Sequence, residues 1–145
     1  MNNSAKFPLF VLRLALGWVM LYAGITKIMN PDWTAGGALS NATFFPEFFA
    51  RLAQPDLLPF VDLFNAWGLT LLGVSLILGA FVRVSAFLGG VLMILYYLAF
   101  YDDAHSFYVE DHIIYALVLF MFFAIGAGRV WGLDKKISKS IPFVG

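Results

Sequence analysis

The residues of this chain that could do chemistry are few. His112 heads an apolar run directly after Glu110-Asp111. Asp111 could hold its ring and make it a proton acceptor. Tyr115 follows about one helical turn later, and Tyr96 reaches a similar depth from another run. Together His112, Tyr115 and Tyr96 could line a pocket that exchanges protons with a quinone head group. The alternative is an interfacial histidine beside an aromatic belt of Trp33, Tyr97, Tyr101, Phe107 and Tyr108. Lys27 ends the first apolar run and could take an anion, with Arg51 as a second cation. It could equally pair with Asp32 or Asp62. Asn65 joins this substrate-binding set from the polar side of the second run. Arg13, the fourth member of that set, lies about a turn inside the first run, where charge is costly. Snorkelling to lipid phosphate or to Asp134 is its simplest fate, with Arg129 as a neighbour.

Other chemistries find no residues. The chain has no cysteine, which excludes disulfides, thiolate catalysis, Cys-ligated clusters and covalent c-type haem. Its only histidines are His105 and His112, so no metal or haem is expected. No glycine-rich phosphate loop, Ser–His–Asp order or zinc spacing occurs.

The elements that must position these residues follow from composition. Of 145 residues, 61% are apolar, 18% aromatic and only 12% charged. A soluble domain carries about 25% charged residues. Disorder, nucleic-acid binding and an ordinary cytosolic enzyme are therefore excluded as readings, and the lipid bilayer is the expected partner. Four continuous runs approach the roughly 20 apolar residues that cross a membrane. They cover about 9–29, 63–82, 84–101 and 112–128. Continuous rather than alternating hydrophobicity makes them helices. A single domain over 1–145 follows: an all-α integral membrane four-helix bundle. The second and third runs meet at Ala80-Phe81-Val82-Arg83 and should form an antiparallel hairpin.

Basic residues set the orientation. With both termini cytoplasmic, Lys6, Arg13, Arg83, Arg129, Lys135, Lys136 and Lys139 lie inside, against Lys27 and Arg51 outside. Eight of the nine acids fall outside, with Asp134 the exception. The first run is too long for the apolar core of a signal peptide.

Each run carries small and polar residues at helical spacing. Arg13, Gly17, Met20, Gly24 and Lys27 share a face; so do Asn65, Gly68, Leu72, Ser75 and Gly79. Ser85, Gly89, Leu92 and Tyr96 form the third stripe. The fourth is His112, Tyr115, Leu119, Phe122, Gly126 and Arg129. Small residues let helices approach closely in lipid, so these stripes should face one another. In the outer loop, 30–62, Phe44, Phe45, Phe48, Phe49 and Leu52 fall on one helical face, with Pro46 and Glu47 in the first turn. A short interfacial helix is expected there. It either packs over the bundle mouth or serves as a lid or docking surface. Asn41-Ala42-Thr43 matches a glycosylation acceptor.

Several segments, taken in order, resemble a known family. The first run reads Leu12-Arg13-Leu14-Ala15-Leu16-Gly17 and then Tyr22-Ala23-Gly24-Ile25-Thr26-Lys27-Ile28. This resembles the opening of the DoxX family. Trp67-Gly68-Leu69 through Leu78-Gly79-Ala80-Phe81-Val82-Arg83 is similar to its centre, and Gly126-Ala127-Gly128-Arg129 with Gly132-Leu133-Asp134 to its close. Tyr96-Tyr97-Leu98-Ala99 and Asp111-His112-Ile113-Ile114-Tyr115-Ala116-Leu117 resemble the DoxD branch. The resemblance implies a prokaryotic cell-membrane protein. For that branch it implies the small subunit of thiosulfate:quinone oxidoreductase. Such an enzyme oxidises thiosulfate to tetrathionate and reduces a membrane quinone beside a second membrane subunit. The competing expectation is a non-catalytic subunit that anchors or assembles a larger complex.

Overall fold

The computed structural model describes residues 3–101 and 109–138, all in helices, turns and loops. Elements run α1 (Asn3–Met29), α2 (Gly36–Ser40), α3 (Pro46–Leu52), α4 (Leu58–Leu78), α5 (Val82–Phe100) and α6 (Asp111–Ile125). A 3-10 turn at Ala127–Arg129 and α7 (Asp134–Ile137) follow. The helices α1, α4 and α5 are long and apolar enough to cross a membrane, and α6 is a shorter apolar helix. Their outward residues are large and apolar: Trp18, Phe64, Leu71 and Leu117 are each more than half exposed. Such a surface suits lipid rather than water.

Boundaries differ most from the sequence reading at three places. α1 begins six residues before Leu9 and runs through Pro8. α4 begins before Leu63 because Pro59, in its first turn, has a ring preset for helix and needs no donor there. It stops at Leu78 rather than 82 because Gly79 takes φ +65°, a left-handed cap that folds the last turn closed. Phe81 is also left-handed, at φ 57°, which costs a residue with a Cβ about 1–2 kcal/mol. Asp134 offsets this from far along the chain. Its carboxylate accepts the N–H groups of Phe81 at 2.6 Å and Val82 at 3.0 Å and so caps α5.

α4 and α5 do form the expected hairpin, but the tightest packing is α1 on α4 and α5 on α6. Backbones touch where α1 crosses α4. A Cβ on Gly24 would meet the Thr70 nitrogen at 2.5 Å and the Ala66 oxygen at 2.8 Å. The stripe residues Gly17, Met20, Leu72, Gly89, Leu119 and Phe122 are buried as expected. Two stripe members depart. Arg129 is exposed. A Cβ on Gly68 would meet nothing within 4 Å, so that glycine borders a groove rather than a helix.

The loop after α1 holds two short helices instead of one. Phe49 is buried against Ala35, Leu39 and Ala99, so the loop packs on the end of α5. The single aromatic face is not formed. Phe45 stands outside α3 with φ 49°, and Phe45 and Phe48 are 66% and 53% exposed. Phe44 stacks on Tyr97 instead.

Candidate functional site

Three separate helices, α1, α5 and α6, and the loop after α1 converge on one cavity of about 230 Å³. Its walls are Lys27, Trp33, Thr34, Ala35, Ala38, Tyr96, Phe100 and His112. Lys27 comes from the last turn of α1. The chain then turns at Asn30-Pro31-Asp32, where the Asn30 side chain accepts the Asp32 N–H at 3.2 Å. That turn swings Trp33 back, and the Lys27 ammonium sits 4.9 Å from its ring centroid. The anticipated ion pairs of Lys27 with Asp32 or Asp62 do not form. Asp62 instead accepts the Ala35 N–H at 2.8 Å and pins the loop to α4. Lys27 is thus a cation held by a ring face, with its charge uncompensated by any described carboxylate.

Tyr96 and Phe100 lie one turn apart on α5 and pack edge-on, 5.3 Å between centroids. The Tyr96 hydroxyl donates to Asn65 Oδ1 on α4. Asn65 lines a narrower space of about 70 Å³ that shares Ala35, Tyr96 and Phe100 with the first cavity. It therefore touches the site only through Tyr96. His112 meets Tyr96 edge-on at 5.2 Å and stacks on Phe100 at 6.2 Å.

The carboxylate beside His112 is Glu110, not Asp111. Nδ1 is 2.9 Å from both Glu110 oxygens. Glu110 precedes α6 in extended conformation, so its side chain turns toward the ring two residues on, while Asp111 in the first turn faces outward. With Nδ1–H directed at the carboxylate, Nε2 is the ring's acceptor nitrogen. Tyr115 stands 6.4 Å from His112 but does not line the cavity.

The remaining anticipated residues lie elsewhere. Arg51 is exposed and grips Asp56 with two bonds of 2.9 and 2.8 Å. The Arg51 hydrogen bonds hold the Asp56 carboxyl below the usual carboxylate range. Arg13 is at the opposite end, only 1% exposed, and does not snorkel. Its guanidinium donates to the carbonyls of Ala127 at 2.6 Å and Val130 at 2.8 Å, with the Phe10 ring 5.4 Å away. His105, Phe107 and Tyr108 fall outside the described residues. Trp33 as the rest for Lys27, Phe100 and Glu110 were missed from the sequence. Their signals were the Asn-Pro-Asp turn, the four-residue spacing from Tyr96, and an acid two residues before His112.

Beyond the narrow space, Leu92 borders a third cavity, an apolar groove of about 520 Å³ along the α4–α5 seam.

Several apolar helices packed around a shared apolar core define a multi-pass membrane protein. The chain belongs to the DoxX family, whose model matches residues 8–102. The match takes in α1 to α5, with Lys27, Trp33, Asn65 and Tyr96, and ends before His112. No match was found among curated proteins or among solved structures.

Proposed function

We propose that this chain is the membrane subunit of a quinone-linked oxidoreductase of the DoxD type, with thiosulfate as electron donor. The quinone head group would enter the cavity between Lys27, Tyr96 and His112. One observation carries this reading: a cation, a phenol and a carboxylate-held imidazole, each from a different span, share one aromatic-walled space. Ligand pockets for whole small molecules run about 300–1,000 Å³. A space of about 230 Å³ suits a single ring. The isoprenoid tail would follow the apolar groove of the α4–α5 seam.

A quinone accepts two electrons and two protons. Lys27 supplies donors to a carbonyl oxygen gaining negative charge. His112 would relay both protons in turn, taking each at Nε2 from water and handing it to a reduced quinone oxygen, while Glu110 fixes the ring. Tyr96, its proton committed to Asn65, offers its oxygen as acceptor and a ring edge as wall. Thiosulfate is a dianion and would meet one free cation here, because Arg51 is engaged by Asp56. Its oxidation is therefore assigned to a face shared with the second membrane subunit. The seven-to-two bias of basic residues supports cytoplasmic termini in a prokaryotic cell membrane.

The test is thiosulfate-dependent reduction of a short-chain quinone by the complex isolated in mild detergent. His112→Ala and Lys27→Met should each lower turnover by about 10²-fold while the complex stays assembled. Full turnover in both variants would sink the catalytic reading. A second reading, a non-catalytic anchor, draws on the exposed rings of Phe45 and Phe48. It predicts that Phe48→Ala releases the partner subunit while His112→Ala is silent.

A further inference from the structure

Arg83 is the one charge between Leu63 and Tyr101, and the reading above gives it no task. It stands in the first turn of α5, at the opposite end from His112. Its Nε is buried without a hydrogen-bond partner. No described side chain or carbonyl hydrogen-bonds or ion-pairs with its guanidinium. Beside it a cleft of about 390 Å³ is walled by Val84, Phe87, Leu88 and Phe123. Val84, Phe87 and Leu88 are 42%, 46% and 60% exposed, so the cleft opens outward along the α5–α6 seam. Phe87 and Phe123 close its inner wall with centroids 5.5 Å apart.

We propose that this cleft binds an anionic phospholipid, its phosphate on Arg83 and the start of an acyl chain on Phe87, Leu88 and Phe123. The shape follows the molecule. From Arg83 to Leu88 the helix descends about 7.5 Å, at about 1.5 Å per residue, from a cation to pure hydrocarbon wall. Charge favours an anion at this end. Arg129 flanks the same glycine, Gly126, and Lys135 and Lys136 are exposed nearby on α7. A second copy of the chain has little to offer. The one acid at this end, Asp134, is 1% exposed and spent on the Phe81 and Val82 amides. Basic pockets between membrane helices take lipid head groups in this way. A free phosphate would use the guanidinium but gain nothing from the rings.

The experiment is native mass spectrometry of the full chain in detergent. Phosphatidylglycerol and phosphatidylcholine with identical acyl chains are added in equal amounts. Wild type should retain phosphatidylglycerol about fivefold over phosphatidylcholine, as about 1 kcal/mol per basic residue implies. Arg83→Gln should abolish that preference, Arg83→Lys should keep part of it, and Arg51→Gln at the far end should leave it whole. Phe123→Trp, which fills the cleft, should lower retention of phosphatidylglycerol. Should Arg83→Gln fail to fold, Phe123→Trp alone decides. Equal retention of both lipids, a preference surviving Arg83→Gln, or undiminished retention in Phe123→Trp would overturn the proposal. Displacement of phosphatidylglycerol by millimolar inorganic phosphate would also overturn it, as a bare anion site.

Discussion

The Tyr96 hydroxyl donates to the Asn65 side-chain oxygen, tying α5 to α4 at the depth of the candidate site. A Ser75–Ser85 hydroxyl pair joins the same helices toward their other end, and the tyrosine bond sets the ring that His112 meets edge-on. Tyr96→Phe and Asn65→Leu should each destabilise the protein. The double variant should be less unstable than their sum, by about 0.6–1.7 kcal/mol of coupling. Unfolding in mixed micelles measures it, and strict additivity would refute the bond's contribution.

Two glycines of similar sequence setting should respond with opposite sign. Gly24→Ala drives a methyl into the Thr70 nitrogen and the Ala66 carbonyl of α4. Backbone cannot yield as a side chain tip can, so the cost should be about 1–3 kcal/mol. Gly68→Ala meets open space and should gain up to about 1 kcal/mol of helix propensity. Thermal unfolding of the two variants side by side checks the contrast; equal losses would contradict it.

Arg13 serves stability rather than substrate. Arg13→Met removes the charged donor from the Val130 carbonyl and from the Ala127 carbonyl, which keeps only the Val130 N–H at 3.2 Å. With charged hydrogen bonds worth about 1.5–3 kcal/mol each, the loss of two should be roughly 3–6 kcal/mol. Asp134→Asn turns one of two acceptors into a donor facing the Phe81 or Val82 amide, costing about 1–2 kcal/mol. Amide exchange should quicken at residues 127–137 in both variants, and protection equal to wild type there would count against the clasp.

The Arg51–Asp56 pair gives a local pH signature. Asp56 is held below its ordinary range in the folded chain. Its contribution is therefore present above the unfolded carboxylate value and lost as pH falls through the lowered one. Both groups are well exposed, so the effect on the whole fold should be slight. Arg51→Ala should move the Asp56 carboxyl titration up toward about 3.9. An unmoved midpoint would show that the pair does not form in solution.

The helical elements were legible because apolar runs and glycine spacing are one-dimensional signals. So was the meeting of Tyr96 and His112, since equal depth on two spans can be counted along the chain. What could not be counted was decided by turns. Lys27 found Trp33 through an Asx turn, whereas a charge rule offers Asp32 or Asp62. Glu110 displaced Asp111 because the helix begins between them, and one residue of boundary changes which carboxylate faces the ring. Arg51 was lost to Asp56 because the turn after α3 brings an acid five residues on within reach. Arg13 was misread for a different reason. Its partners are main-chain carbonyls, which have no letter in the sequence.

That last bond also orders events during synthesis. Arg13 and the Ala127 carbonyl are 114 residues apart. At roughly 5–20 residues per second, α1 waits about 6–23 s for Ala127 to be made. Through that interval the translocon must admit a segment carrying a lone arginine, a penalty of about 2.5–3.5 kcal/mol at mid-membrane. α1 can pack on α4 within that interval, but its arginine is satisfied only once the turn at Ala127–Val130 has been made.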